Sequence, residues 1–174
     1  MQFDNAKKLV SRSLDRYTIS SDHTQVAVIE YSNTARVVAF LNDYMERNGL
    51  QDVLDNLQPS RGLNATVGNA LELAADHVFV AERGLRLGVP KALVLLTNDR
   101  LSDTESYRYA VEKLRKKGVP VYVVVMNKKH DSKEIEDVAT SPKHVINTRI
   151  PDDVKNLGPK LTHVIDESIE KRLY

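Results

Sequence analysis

At 174 residues the chain is the size of one ordinary domain, and 41% hydrophobic content is enough for a single buried core. Twenty-five Lys plus Arg against 24 Asp plus Glu leave a formal net charge of +1, without the basic footprint of a nucleic-acid binder. The absence of cysteine excludes a disulfide framework and any thiolate metal site but does not choose between compartments. No apolar run approaches the roughly 20 residues that cross a bilayer, and Met1-Gln2-Phe3-Asp4 lacks a signal peptide's apolar stretch; the chain reads as soluble, with no membrane insertion and no address.

In chain order, Phe3, Ala6, Leu9, Val10 and Leu14 recur at helical spacing and predict an amphipathic helix over Phe3 to Tyr17. Val26 to Tyr31 and Arg36 to Phe40, separated by Ser32-Asn33-Thr34, predict a β-hairpin, because short polar side chains favour a tight turn. Helical patterns follow at Leu50 to Leu57 and Thr66 to Glu82. Ala92 to Leu96 and Val121 to Met126 are almost unbroken apolar runs, as strands covered on both faces require. Helices at Thr104 to Lys117 and Ser132 to Ala139, a more polar edge strand at His144 to Asn147, and a helix at Asp152 to Leu173 complete the pattern. Ser102 and Asp103 supply capping side chains at one helix start, and Gly118 with Pro120 stops that helix before its strand. Strands alternating with helices imply βαβ units and a mostly parallel sheet, with no repeat and no low-complexity linker.

Several phrases in this order resemble the von Willebrand factor A domain of matrix proteins, with matrilins and type VI collagen most similar in style. Gln25 to Ser32 resembles that family's second strand and Gly68-Asn69-Ala70-Leu71 the glycine-led opening of a long helix. Val89 to Thr97 resembles its fourth strand, Gly118 to Tyr122 its fifth, and Glu136 to Val145 the approach to its sixth. The resemblance spans nearly the whole chain as one domain, residues 1–174. It implies an α/β fold of three layers: a doubly wound, mostly parallel, Rossmann-like sheet flanked by helices, with one antiparallel edge hairpin. One departure matters. The family begins with an apolar strand ending in Asp-x-Ser-x-Ser, whereas Met1-Gln2-Phe3-Asp4 resembles the residues just after it. In the family's strand order, 3-2-1-4-5-6, that strand is central, and its loss would leave two inner edges with unpaired backbone groups. The reading is a fragment whose upstream residues are missing, with self-pairing of two copies as the rival.

The resemblance also implies a site. The family holds one Mg²⁺ on three loops at the carboxyl ends of strands, where hydroxyls and a carboxylate suit a hard cation, and an acidic side chain of the partner completes the coordination. The serine loop is absent here. Thr66 matches the family's threonine only with a one-residue shift. Where the family has Thr-Asp-Gly this chain has Thr97-Asn98-Asp99, with neutral Asn98 at the carboxylate position and Asp99 able to substitute only through a different turn. Losing a charge and two hydroxyls should weaken Mg²⁺ or Mn²⁺ binding badly, so Thr66, Asn98 and Asp99 are vestigial candidates and no cofactor is expected. The plainer roles are capping by the Thr66 hydroxyl and turn-shaping by Asn98 and Asp99. Asn64-Ala65-Thr66 is an N-glycosylation sequon.

Catalytic motifs are missing: no Gly-x-Ser-x-Gly elbow, no phosphate-cradling glycine loop, no cysteine nucleophile. His23, His77, His130, His144 and His163 are scattered and read as surface or packing residues. Lys113, Arg115, Lys116 and Lys117 could meet an acidic partner such as a sulfated glycan, although cations at a helix end also complement its dipole. The expected function is therefore an extracellular matrix or adhesion module that binds collagen or another matrix protein without the usual metal. The alternatives are an intracellular scaffold domain and an enzyme on a doubly wound sheet.

Overall fold

The computed structural model describes residues 2–59, 66–97, 104–126 and 133–147, and 158, 159, 162, 163, 165–167 and 170 of the carboxyl-terminal segment. It is α/β, with a parallel three-stranded sheet, an antiparallel hairpin and helices. Two compact units emerge: Met1–Arg16, Pro90–Arg100 and Gly118–Tyr174 form one, Tyr17–Val89 and Leu101–Lys117 the other.

The first unit is built on β3 (Leu93–Thr97), β4 (Val121–Val125) and β5 (Val145–Asn147), in that spatial order. β4 reads Val-Tyr-Val-Val-Val and is buried at every position, as expected of a central parallel strand made of β-branched and aromatic side chains. It pairs with β3 from Leu93↔Val121 to Thr97↔Val125 and with β5 from Val123↔Val145 to Val125↔Asn147. Thr140 anchors the start of β4: its main-chain N–H donates to Val121 O (3.0 Å) and its Oγ1 accepts from Val121 N (2.7 Å). Helix α1 (Gln2–Ser13) places Leu9 against Val124, Met126 and Ile146, with Ala6, Leu96 and Ile165 at the margin. Gly158 comes within van der Waals range of Arg12 and Ser13, where a Cβ would lie 3.1 Å from Arg12 Cβ, and the buried Thr162 hydroxyl lies 3.0 Å from Gly158 O and 3.1 Å from Ser13 O. Small and polar groups thus seat the carboxyl-terminal helical residues on α1.

The second unit holds the hairpin of β1 (Val28–Tyr31) and β2 (Ala35–Ala39). Its register runs from Ile29↔Val37 to Tyr31↔Ala35, with an irregularity between Val28 and Ile29, and Ser32 N–H closes the turn on Thr34 O at 2.8 Å. Glu30 and Arg36 face each other directly and form an ion pair at 2.5 Å, with the Glu30 side chain 7% exposed. Helix α2 (Arg47–Asn56) buries Leu50 and Leu54. Helix α3 (Val67–Leu73) packs on the hairpin and on α4 (Thr104–Lys116). Gly84, at φ 92°, approaches Asn42 so closely that a Cβ would sit 2.8 Å from its Cβ, which reserves the position for glycine.

Boundaries differ from the sequence reading in specific ways. α1 ends at Ser13, where the Ser13 hydroxyl donates to Leu9 O at 2.8 Å. α2 begins three residues before Leu50, taking Gly49 into its first turn. The single helix expected over Thr66 to Glu82 is instead α3, a π-helical turn over Ala74–Val78 and a 3₁₀ turn over Ala81–Arg83. Gly118 has φ 67° and terminates α4 in the left-handed conformation, as expected of a helix-ending glycine. Helix α5 (Lys133–Val138) ends one residue before Ala139, and Ser132 lies outside the described residues. The capping pair Ser102 and Asp103 lies outside the described residues, as does most of Asp152 to Leu173.

Candidate functional site

Thr66 immediately precedes α3, and its side chain does not cap that helix. Both its main-chain N–H and its hydroxyl donate to Ser32 O, each at 2.9 Å. The expected capping role is therefore corrected. With φ −84° and ψ 79°, Thr66 is turned away from the extended geometry of capping residues, and its hydroxyl ties the start of α3 to the hairpin turn. The Oγ1 proton is donated to that carbonyl, and the oxygen lone pairs through which a hydroxyl ligates a cation are unaffected. Asn98, Asp99 and the sequon residue Asn64 lie outside the described residues, and Thr97 in β3 is buried.

Among the described residues no group of three or more His, Asp or Glu side chains could hold a metal ion. Of the ligand positions that the resemblance implies, Thr66 alone is among the described residues, and its hydroxyl carries no charge.

The histidines divide as packing or surface groups. His144 stacks on buried Tyr122 with ring centroids 4.3 Å apart, His163 pairs with Glu167 at 3.2 Å, and His77 is exposed. His130 lies outside the described residues. Sequence reasoning missed one contact of catalytic type, Ser20 Oγ at 3.0 Å from His23 Nδ1. It is an exposed turn: His23 N–H donates back to Ser20 Oγ at 3.1 Å, and neighbouring Asp22 accepts from Ser21 rather than from the ring. Arg86 pins this turn by donating to Ser21 O at 2.9 Å and to His23 O. Among the described residues no carboxylate orients the imidazole, and no nucleophile–base–orienter arrangement is formed there. Arg86 is far away in sequence, and no local pattern announces it.

The cationic end of α4 is committed internally. Lys113 Nζ contacts Asp76 Oδ2 at 2.6 Å and Glu72 Oε1 at 3.4 Å, and lies over the Tyr109 ring. Arg115 forks onto both oxygens of Glu112 at 2.9 Å, and Lys116 reaches the same carboxylate at 4.0 Å. Lys117 Nζ donates to Ala75 O at 2.6 Å and Phe79 O at 3.1 Å. The hydrogen bond that Lys113 donates to Asp76 holds its ammonium above the ordinary pKa, and the one that Glu112 accepts from Arg115 holds its carboxyl below its own. Lys113 and Lys117 thus tie α4 to the residues that follow α3, whereas Arg115 and Lys116 pair within α4 on an exposed face.

No helix among the described residues is long and apolar enough to cross a membrane. The sequence profile of the von Willebrand factor type A domain matches residues 1–160. The collagen alpha-1(XII) chain of Notophthalmus viridescens is 30% identical over 153 residues, 86% of this chain and 16% of its own length. Matrilin-3 of Gallus gallus is 26% identical over 144 residues, 81% of this chain and 31% of its own length. The chain therefore spans under a third of either relative. Among solved structures, proximal thread matrix protein 1 from the mussel byssus superposes with a TM-score of 0.84 at 20% identity, covering 97% of this chain and 42% of that one. At that identity the likeness is one of fold, and a further form of that protein has zinc in its MIDAS motif. The resemblance read from the phrases Gln25 to Ser32, Val89 to Thr97 and Gly118 to Tyr122 is thereby established, and the chain belongs to the von Willebrand factor type A domain family.

Proposed function

We propose that this domain is a non-catalytic binding module of an extracellular matrix protein, docking collagen or another matrix protein without a metal bridge. The observation that supports it most is the run of 153 residues shared with a collagen alpha-1(XII) chain, reinforced by matrilin-3. The metal-free mode is supported by Asn98 at the carboxylate position. Asn64 is the glycosylation acceptor of a secreted form.

The domain over residues 1–174 takes a further apolar strand beside β3, supplied by polypeptide outside these residues. Among the described residues β4 is the one strand next to β3. β3 is Leu-Val-Leu-Leu-Thr with mid-strand Val94 36% exposed, and it carries none of the charges, prolines or bulges that shield a true edge. Two copies pairing along this edge is the competing source of that strand.

The test is binding to immobilised collagens and other matrix proteins in EDTA and again in millimolar Mg²⁺. Saturable, EDTA-resistant binding is expected. Binding that disappears in EDTA would contradict the metal-free mode, and absence of binding to every matrix protein would contradict the role. Sedimentation velocity across a concentration series separates the strand sources: a monomer supports the external strand, and a dimer lost on Val94→Lys supports self-pairing.

A further inference from the structure

We propose that Asn48 is a site of spontaneous deamidation, placed at the loosely held start of α2. Asn48-Gly49 is the one Asn-Gly pair in the sequence. Asn48 is exposed, and among the described residues neither its side chain nor the Gly49 N–H has a hydrogen-bond partner.

Gly49 is a poor helix residue in a first turn, and its presence has a packing reason: a Cβ there would lie 3.0 Å from Tyr44 Cδ1. The same lack of a side chain leaves the Gly49 nitrogen open to approach. In the reaction that nitrogen loses its proton and bonds to Asn48 Cγ. The Cγ–amide bond breaks, ammonia leaves, and a five-membered succinimide remains. Water then opens either of its two C–N bonds, giving aspartate or isoaspartate.

Ring closure requires Asn48 to leave helical geometry, and the first turn offers little resistance. The capping position is Glu46, extended at φ −147° and ψ 154°, with no side-chain cap hydrogen bond. The Leu50 N–H to Glu46 O bond that closes the turn is long, 3.5 Å. Uncapped first turns with unsatisfied N–H groups open at low cost. Aspartate would add a carboxylate to a first turn that has no acidic residue, where the helix dipole favours it. Isoaspartate would reroute the backbone beneath the Gly49–Tyr44 contact.

The experiment incubates the intact chain at mildly alkaline pH and 37 °C, with peptide mass mapping and enzymatic isoaspartate methylation as readouts. Asn48 is expected to convert several-fold faster than Asn5, Asn42 or Asn69, methylation is expected to vanish in Asn48→Gln, and Glu46→Asp, which supplies a cap, is expected to slow conversion several-fold. Conversion of another asparagine first, or an intact Asn48 when Asn5 and Asn42 have reacted, would overturn the site. Equal rates in the Glu46→Asp variant would overturn the opening route.

Discussion

Glu30 is almost fully buried on the hairpin and answers to Arg36 directly across the strands. Hydrogen bonds to charged groups are worth more than neutral ones, and removing the donor leaves a desolvated carboxylate behind. Arg36→Ala is therefore expected to lower stability by about 2 kcal/mol, read as a denaturant midpoint shift at constant slope; an unchanged midpoint would mean that water replaces the guanidinium. The exposed pairs on α4 act through pH. The Glu112 carboxyl is held low by Arg115 first, so its contribution is present above the ordinary carboxylate pKa and is lost as pH falls through the lowered folded value. The Lys113 ammonium is held high by Asp76 first, so its contribution is present below lysine's ordinary pKa and is lost as pH rises through the raised one. Arg115→Gln should move the Glu112 carboxyl resonance titration upward, toward an ordinary glutamate, and a titration that stays put would contradict the pairing. Residues of this kind were only partly legible. The helix-end cations were visible as a cluster, and Glu112 stands at helical spacing from Arg115 and Lys116, but the partners of Lys113 and Lys117, namely Glu72, Asp76 and the Ala75 and Phe79 carbonyls, belong to other elements that no spacing rule connects to them.

At the scale of elements, β4 and the hairpin were legible because apolar runs of β-branched residues and a Ser-Asn-Thr turn are local signals, and the observed bounds fall within two residues of those expected. The long helix over Thr66 to Glu82 was not, because hydrophobic spacing is nearly the same for an α-helix that widens into a π turn at Ala74–Val78. Carbonyls left at the end of such a turn need donors, and Lys117 supplies them to Ala75 and Phe79. Lys117→Met, which keeps the stem and removes the donor, is expected to cost about 1–2 kcal/mol and to speed amide hydrogen exchange within Ala74–Phe79 selectively. Uniform exchange across the unit would contradict a local clamp. α4 also contributes the fully buried Leu114, and Leu114→Ala is expected to cost about 2–5 kcal/mol, as large-to-small changes in closed cores do.

At the scale of the whole molecule, family and fold class were legible because five phrases in order constrain topology more than any one of them does. The candidate site was less so: the engagement of Thr66 with Ser32 depends on a contact across 34 residues that sequence periodicity does not encode. The domain is proposed to work without a metal of the kind that occupies the MIDAS motif of the mussel-byssus neighbour. The most direct measurement is a thermal melt of this chain by circular dichroism in EDTA and in millimolar Mg²⁺ or Mn²⁺. A site holding metal at 100 times its dissociation constant would add about 2.7 kcal/mol, which for a domain of this size raises the midpoint by roughly 5–10 °C. The predicted result is one cooperative transition with the same midpoint in all three buffers; a metal-dependent rise of several degrees would contradict the metal-free reading and restore Thr66 and Asp99 as ligands.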